Sequence, residues 1–288
     1  MSDIATKLTT IANNTPAVAE AVNAAKATAT GKVVRVDDVL TTEHPLQVQT
    51  SAGAKVTVSG KNLIPFPYKE TSRTVNGITF TVNDDGSLHY EGTTPEGRTA
   101  QFHFTDYNKQ LLLTPGETYT ISVHADSNGA ESTYTSLLNV NYKPVDKNPA
   151  AWSGSILDIA YIGKDGTPGS KTVVYPEDGT GGIQCYIHIP AGKTVNNTVR
   201  VMIEHGTAAT EYERYKEPQT ATAGADGKVV GLTSVSPSMT LIADSGAAAL
   251  ECTYFPASAA DVYAKYQKLQ QEQITLQNKL QGHKEESV

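Results

Sequence analysis

The segment ITFTVNDDGSLHY, residues 78–90, decides the fold class. Apolar residues alternate with polar ones on both sides of its centre, as is typical of β-strands with one buried face. The Asp85-Gly86 pair between the two alternating runs is a strong signal for a hairpin. The acidic turn lacks the sixth-position glycine and the closing glutamate of a calcium loop, so we predict an antiparallel hairpin without a metal ion.

Further alternating runs extend across residues 61–217, separated by turn clusters rich in Gly, Pro, Asp and Asn. Ten or so short strands at this spacing predict a mainly β fold, an antiparallel β-sandwich or jelly roll. The clearest single faces are formed by Tyr119, Ile121 and Val123, by Ile183, Cys185, Ile187 and Ile189, and by Val199, Val201 and Ile203.

The segments on either side of this body have other patterns. Apolar residues at helical spacing over 1–31 predict a thin N-terminal helical arm that Gly31 ends. Residues 32–60 change to a period of two and predict a β connector. Residues 218–257 predict a small segment of three strands, which are too few for an independent core. We expect those strands to pack on the sandwich or to pair between subunits.

The last segment, residues 258–288, predicts a coiled-coil helix. Its apolar positions are spaced 4, 3, 4, 3, 4 and the residues between them are mostly polar, so the narrow stripe is expected to pack against copies of itself. Because the seam lacks the β-branched and leucine alternation of dimers, we expect a homotrimer. The seam consists of Val262, Tyr266, Leu269, Gln273, Leu276 and Leu280.

The composition limits the possible partners. The 288-residue chain carries a formal net charge of −7, and the charges of 1–30 and of 258–288 cancel within each segment. The acidity therefore belongs to the β body, which argues against nucleic acid as a partner. No signal peptide and no membrane-spanning run is predicted. We predict that Cys185 and Cys252 are buried thiols, with a disulfide as the alternative.

The motifs of common enzymes and metal sites are missing from the sequence, which predicts no catalytic residues, no metal and no cofactor. The one enzymatic alternative is a carboxylate pair. Glu211 and Glu213 are expected on one face of a strand, and glycoside hydrolases need two carboxyl groups about 5–10 Å apart. Their charged neighbours favour a solvated edge strand instead.

A glycan-binding site is the more specific hypothesis. Aromatic rings beside polar groups suit a sugar, whose C–H face stacks and whose hydroxyl groups form hydrogen bonds. We predict Trp152, Tyr186 and His188 as binding residues. The alternative is that Tyr186 and His188 lie under a loop or in a contact between subunits. Other positions expected to face outward on the sheets are His103, Arg200 and Glu204.

Several segments resemble structural proteins of tailed bacteriophages and of prophages of Gram-positive bacteria. They are MSDIATKLTTIA (1–12), GKNLIP (60–65), VNGITF (75–80), VRVMIEHG (199–206), ATEYERY (209–215) and DGKVVGLTSVSPSMTL (226–241). The segments at 60–80 are similar to the beginning, and those at 199–215 to the end, of a carbohydrate-binding-module-like sandwich in such proteins. The resemblance implies a virion component without fixed catalytic residues.

Together these observations predict a non-enzymatic phage structural protein, a tail- or baseplate-associated appendage that binds host surface glycans. A head fibre or capsid decoration protein with a purely structural sandwich is the alternative, and a glycan-degrading tail enzyme is the second. The expected partners are further copies of the chain, other virion proteins through the N-terminal arm, and host cell-wall glycans. The expected location is the virion, after synthesis in the bacterial host cytoplasm.

Overall fold

The architecture is taken from a computed structural model. It describes residues 6–11, 16, 20, 24–37, 46–127, 136–144, 155–162, 169–230, 238–244, 246–256 and 259–285. Within these residues every paired strand runs antiparallel to its neighbours, as the alternating sequence predicts. The strands are β1 (Ala27–Gly31), β2 (Val33–Asp37), β3 (Gln47–Gln49), β4 (Lys55–Gly60), β5 (Arg73–Val75), β6 (Ile78–Val82), β7 (Leu88–Thr93), β8 (Ala100–His103), β9 (Thr118–Ser127), β10 (Ser136–Pro144), β11 (Ser155–Ile162), β12 (Gly169–Val174), β13 (Gly179–Ile189), β14 (Thr194–His205), β15 (Gln219–Thr222), β16 (Lys228–Val229), β17 (Ser238–Ala243) and β18 (Leu250–Tyr254).

Strands β5 to β14 form a sandwich of two sheets, which we call the large sandwich. One sheet has the order β12-β9-β14-β7-β6-β5 and the other has the order β11-β10-β13-β8. The three predicted apolar faces all point into the core between the sheets, where their side chains are buried. The hairpin at residues 78–90 joins β6 to β7, with Phe80 opposite Tyr90. The predicted antiparallel sandwich is confirmed.

The other eight strands form a second, smaller sandwich, which we call the small sandwich. Its sheets have the orders β1-β18-β3-β16 and β15-β4-β17-β2. Each sheet combines strands from before and after the large sandwich in the sequence, so the large sandwich is an insertion between two halves of the small one. The segments 32–60 and 218–257, which the sequence analysis separates into a connector and a β segment, therefore share one core. Period-two alternation identifies the buried face of a strand but not its partner, and these partners lie far apart in the chain.

The boundary of the N-terminal segment differs from the prediction. Ala27–Gly31 is a strand, β1, and not the end of a helix, because it pairs along its whole length with β18 at the edge of a sheet. Tertiary pairing outweighs helix propensity here because a five-residue run with two threonines and a final glycine forms at most a marginal helix. Residues 6–11 are helical, as are 16, 20 and 24, and the rest of the predicted arm before residue 24 lies outside the described residues.

The C-terminal helix spans Ala260–Glu285. Val262, Tyr266, Leu269, Gln273 and Leu276 of the predicted seam are half-buried, whereas nearly all other described side chains of the helix are exposed; Leu280 lies outside the described side chains. The seam therefore forms one stripe on this helix. Its first turns pack on the same chain, since Val262 and Tyr266 contact the buried Phe255. Among the described helices, none has the length and apolar content that a bilayer span requires.

An ion pair joins the two sandwiches. Arg35 on β2 of the small sandwich donates from Nη1 to the carboxylate of Glu204 on β14 of the large one. Glu204 also accepts hydrogen bonds from the backbone N–H and the hydroxyl group of Thr210, each at 2.8 Å. Glu204 is predicted from the sequence to face outward, but its side chain is 0% exposed because these groups cover it.

The two cysteines are buried free thiols, which confirms the predicted state. Cys185 belongs to the core of the large sandwich and Cys252 to the core of the small one. Each side chain is enclosed by apolar neighbours of its own unit, so a disulfide between them is incompatible with this fold.

Candidate functional site

The outer face of the large sandwich's four-stranded sheet, β11-β10-β13-β8, carries a cluster of aromatic and amide side chains. Gln101 and His103 alternate with the buried residues of β8, and Tyr186 and His188 do the same on the neighbouring β13. The strand register places Tyr186 opposite His103 and His188 opposite Gln101. We call these four residues the sheet-face cluster. All four are half-buried, so each presents part of its surface to solvent.

The cluster is organised by two cross-strand contacts. The rings of His103 and Tyr186 stack with their centroids 4.9 Å apart and their planes 27° from parallel. Beside them, Gln101 Nε2 lies 3.1 Å from His188 Nδ1 and donates to it. Directly opposed residues of an antiparallel pair lie close enough for both contacts, so the register itself assembles the cluster.

Glu70 fixes the orientation of His103. The carboxylate accepts the backbone N–H of His103 at 2.7 Å and faces His103 Nδ1 at 3.3 Å. Arg73 Nη2 lies 2.9 Å from the same carboxylate. When His103 Nδ1 donates to Glu70 and the ring carries that single proton, Nε2 is a hydrogen-bond acceptor. Burial works to raise the pKa of Glu70, but the hydrogen bonds from His103 and the charge of Arg73 outweigh it and hold this pKa below its ordinary value.

The groups next to the stack are uncharged at neutral pH. Burial lowers the pKa of His188, so its imidazole is neutral. Burial, together with nearby Tyr186, raises the pKa of Tyr107, although a hydrogen bond with Asn141 opposes the shift, so its phenol is neutral as well. Asn141 also reaches Gln184 on β13 at 3.5 Å. Beside the stack, the face therefore offers uncharged amide, phenol and imidazole groups.

The structure brings together some of the predicted site residues and separates others. Tyr186 and His188 lie in the sheet-face cluster with His103, whereas Trp152 lies outside the described residues. Arg200 is on the other sheet, where it pairs with Asp85 and Asp126 at 3.2 Å each. The face of Tyr186 and His188 is therefore separate from the face of Arg200.

Three contributors to the site were missed by sequence reasoning: Glu70, Gln101 and Tyr107. The alternation that identifies His103 also points to Gln101, two residues earlier on the same strand. Glu70 precedes β5 and Tyr107 follows β8, both in turns without periodic signal. Their positions depend on tertiary pairing, such as the hydrogen bond from Glu70 N to His103 O at 3.3 Å.

The predicted carboxylate pair does not sit on a strand. Residues 207–218 form bends and irregular chain, so Glu211 and Glu213 do not alternate on one sheet face. Glu213 faces Lys216 at 3.6 Å, and the carbonyl oxygen of Glu211 accepts a hydrogen bond from Lys61. Within the described residues no group of three or more His, Cys, Asp or Glu side chains could hold a metal ion.

Comparison with known proteins gives a likeness of fold. No protein-family model and no curated protein matches the chain. Among solved structures, the chain is similar to a family 16 carbohydrate-binding module, with 12% identity over 49% of this chain and 99% of that one, at a TM-score of 0.34. It is similar to the CBM22-1 xylan-binding domain from Paenibacillus barcinonensis Xyn10C, with 13% identity over 55% and 99% of the two chains and a TM-score of 0.29.

A third similar structure is the enzymatically active domain of tailspike protein 4 of bacteriophage CBA120. The identity is 13%, 52% of this chain and 19% of that chain are covered, and the TM-score is 0.28. One sandwich architecture serves binding modules and parts of enzymes alike, so such likeness concerns the fold and not the chemistry. The chain is a mainly β protein whose structural neighbours are carbohydrate-binding modules with β-sandwich folds.

Proposed function

We propose that the sheet-face cluster binds a neutral glycan. The observation that carries this proposal is the stack of His103 on Tyr186, held in place by Glu70 and bordered by uncharged hydrogen-bonding groups. A sugar ring presents a C–H face that packs against an aromatic side chain and hydroxyl groups that exchange hydrogen bonds with amides, imidazoles and phenols.

Two properties of the cluster favour a glycan over other ligands. The contacts of Glu70 and Gln101 fix both imidazole rings before a ligand arrives, which reduces the entropy lost on binding. The lowered pKa of His188 and the raised pKa of Tyr107 keep these two groups neutral, so neither attracts a phosphate or carboxylate group by charge.

A glycan array with the full chain tests this function. We expect Tyr186→Ala to weaken binding roughly tenfold or more, since one ring contact contributes about 0.5–1.5 kcal/mol beyond the apolar area that it buries. His89→Ala is the matched control, because His89 is a half-buried histidine on the outer face of the other sheet. Equal binding by Tyr186→Ala and the wild type would refute the proposed site. The Trp152→Ala variant in the same assay tests whether Trp152, the predicted binding residue outside the described residues, contributes to glycan affinity.

We further propose that the protein is a non-enzymatic structural component of a phage particle, placed at the tail or baseplate. The sequence resemblance of residues 1–12, 60–80 and 199–241 to phage structural proteins supports this proposal. Immunogold labelling of purified particles tests the location. Label on the tail, together with binding to host cell wall, supports it. Label on capsids without binding to any wall fraction supports instead a head fibre or decoration protein with a structural sandwich.

The absence of enzymatic activity is part of the same proposal. Glu211 and Glu213 lie in irregular chain and Glu213 is engaged with Lys216, which is a poor arrangement for two carboxyl groups that must flank one bond. Prolonged incubation of the protein with host polysaccharide, followed by size-exclusion chromatography, should leave the chain length unchanged. Shortening that disappears in Glu211→Gln would contradict the proposal.

The C-terminal helix supports the proposed homotrimer. Its half-buried stripe is narrow and polar residues surround it, as expected of a helix that packs on copies of itself. Sedimentation equilibrium should give three chains per particle, and Leu276→Glu should lower that number because it places a charge in the seam. Gln277→Glu is the control, since Gln277 is the exposed neighbour. An unchanged mass for Leu276→Glu would show that the seam does not hold the assembly.

A further inference from the structure

A loop crosses one end of the sheet face that carries the sheet-face cluster. The chain leaves β8 and returns to the side of β13 at Gln110, which forms an isolated bridge with Gly182. On the way it passes over β13, since a Cβ added to Gly182 would lie 2.6 Å from the carbonyl oxygen of Tyr107. The same Cβ would lie 3.4 Å from Cβ of Lys143, an outward position of β10, so the crossing is on the outer face. We call residues 104–110 the end loop.

The side chain of Tyr107 extends this crossing over the width of β13. Its phenol forms a hydrogen bond with Asn141 on β10, and β13 lies between β10 and β8 in the sheet. Gln184, the outward residue of β13 next to Asn141, is only 5% exposed, whereas Tyr186 and His188 further along the strand are half-buried. Tyr107 and Asn141 therefore form a wall across the sheet face at Gln184, and we call these two residues the end wall.

The other end of the sheet face has a different boundary. β13 ends at Ile189, directly after His188, and residues 190–193 turn into β14, with Gly192 exposed in the turn. Tyr186 and His188 are successive outward positions of one strand, which places them about 7 Å apart along it. The sheet-face cluster therefore consists of two rows of side chains between the end wall and an exposed turn.

We propose that the sheet-face cluster binds the end of a glycan chain and not its internal segments. This inference rests on the proposed function of the cluster and adds which part of the glycan the cluster accepts. The terminal ring packs on Tyr186 with its outer edge against Tyr107, and the next ring lies beside His188, toward the turn. An internal segment of a glycan would have to continue through the end wall, where Tyr107 and Asn141 already occupy the sheet face.

The number of protein chains bound per glycan chain tests this inference. Isothermal titration calorimetry on the full chain compares each hexasaccharide with the matching linear polysaccharide: maltohexaose with amylose, mannohexaose with linear mannan and laminarihexaose with linear laminarin. For a pair that binds, we expect one protein chain per glycan chain with both members, because a glycan chain has a single end of each kind. Several protein chains per polysaccharide chain would overturn the inference and leave the proposed function intact. Binding by none of the pairs would overturn the proposed function, and this inference with it.

Substitutions in the end loop test the role of the end wall. Tyr107→Ala should weaken binding of the hexasaccharide roughly tenfold, because the terminal ring loses its contact with the phenol. Tyr107→Phe keeps the ring and should stay within about threefold of the wild type, which separates a lost ring contact from a misfolded loop. Asn108→Ala is the matched control, since Asn108 is the exposed neighbour in the same loop, and it should leave the Kd within about twofold. Equal affinity of Tyr107→Ala and the wild type would overturn the inference.

Discussion

At the scale of single residues, the Glu204 carboxylate shows how one side chain connects the two sandwiches. It lies at 0% exposure and accepts from three donors, the Arg35 guanidinium and both the N–H and the hydroxyl of Thr210. A buried carboxylate with its acceptor sites in use stabilises the interface mainly because removing it leaves its partners without hydrogen bonds.

We predict that Glu204→Ala lowers the free energy of unfolding by about 3 kcal/mol, because the substitution leaves a largely buried guanidinium without its main partner. Urea denaturation of the full chain measures this loss. Asp126→Ala is the control: it removes one of the two exposed carboxylate partners of Arg200 and should cost less than about 1 kcal/mol. Similar losses for the two variants would contradict the role of Glu204.

Glu70 gives a prediction on pH. The pKa of its carboxyl group in the folded protein lies below the ordinary value of 4.5, so its contribution to stability is present above that value. The contribution is lost as the pH falls through the folded pKa. The difference in free energy of unfolding between the wild type and Glu70→Gln should therefore be constant above about pH 5.5 and shrink below it. Glu91→Gln, which changes an exposed carboxylate, is the control variant in the same pH series. If the difference in free energy of unfolding between the wild type and Glu70→Gln stays constant down to pH 3, the proposed pH dependence of Glu70 is wrong.

At the scale of elements, the hairpins explain why part of the fold could be predicted. The turn of the β6–β7 hairpin is local in sequence, and Asp85 Oδ1 accepts hydrogen bonds from the N–H and the hydroxyl of Ser87 within it. The pairing of β1 with β18 joins segments more than two hundred residues apart, and no local signal identifies it. Sequence therefore indicated the faces of strands well and their distant partners poorly.

The turn between β5 and β6 provides a prediction at this scale. Asn76 and Gly77 both have positive φ, 46° and 78°, which is the geometry of a two-residue type I′ turn. A Cβ on Gly77 would also collide with the backbone carbonyl of Thr93. Gly77→Ala should therefore lower the free energy of unfolding by roughly 3 kcal/mol.

Gly97→Ala measures the free-energy cost of placing an alanine at positive φ without a steric collision. Gly97 has a φ of 70°, but a Cβ there would meet no atom within 4 Å. The expected loss is about 1 kcal/mol. Equal losses at the two glycines, measured by urea denaturation, would show that the carbonyl of Thr93 moves aside.

The candidate site shows the same limit of sequence reasoning. Tyr186 and His188 were identified because they alternate with buried residues on one strand. Glu70, which orients the histidine of the stack, approaches β8 through backbone pairing that follows from the whole fold. A strand pattern can therefore locate the surface of a site, but the groups that hold its side chains in place come from elsewhere in the chain.

At the scale of the whole molecule, the two thiols report on the two sandwiches separately. Burial raises the pKa of Cys185, and burial together with Glu251 raises that of Cys252 to about 12, so neither thiol is reactive in the folded protein. We predict that the single-cysteine variants Cys185→Ala and Cys252→Ala resist thiol labelling in buffer and become labelled in urea.

The order of labelling tests the dependence of one sandwich on the other. Once the inserted sandwich unfolds, the two halves of the small sandwich are joined only by a long flexible loop, whose closure costs entropy. Cys252 should therefore become labelled at a urea concentration no higher than Cys185. Labelling of Cys185 at clearly lower urea would show that the small sandwich persists without the large one.

The inserted position of the large sandwich also determines which domains could replace it. The first and last residues of the inserted sandwich leave the small one side by side, since a Cβ on Gly60 would lie 3.2 Å from Lys216 Cβ. The strands of the small sandwich pair only with one another on both sides of this point, so their register requires only that the two ends stay close. The position is therefore an insertion point for a domain. Replacing the large sandwich by another domain with adjacent ends leaves every strand pairing of the small sandwich unchanged.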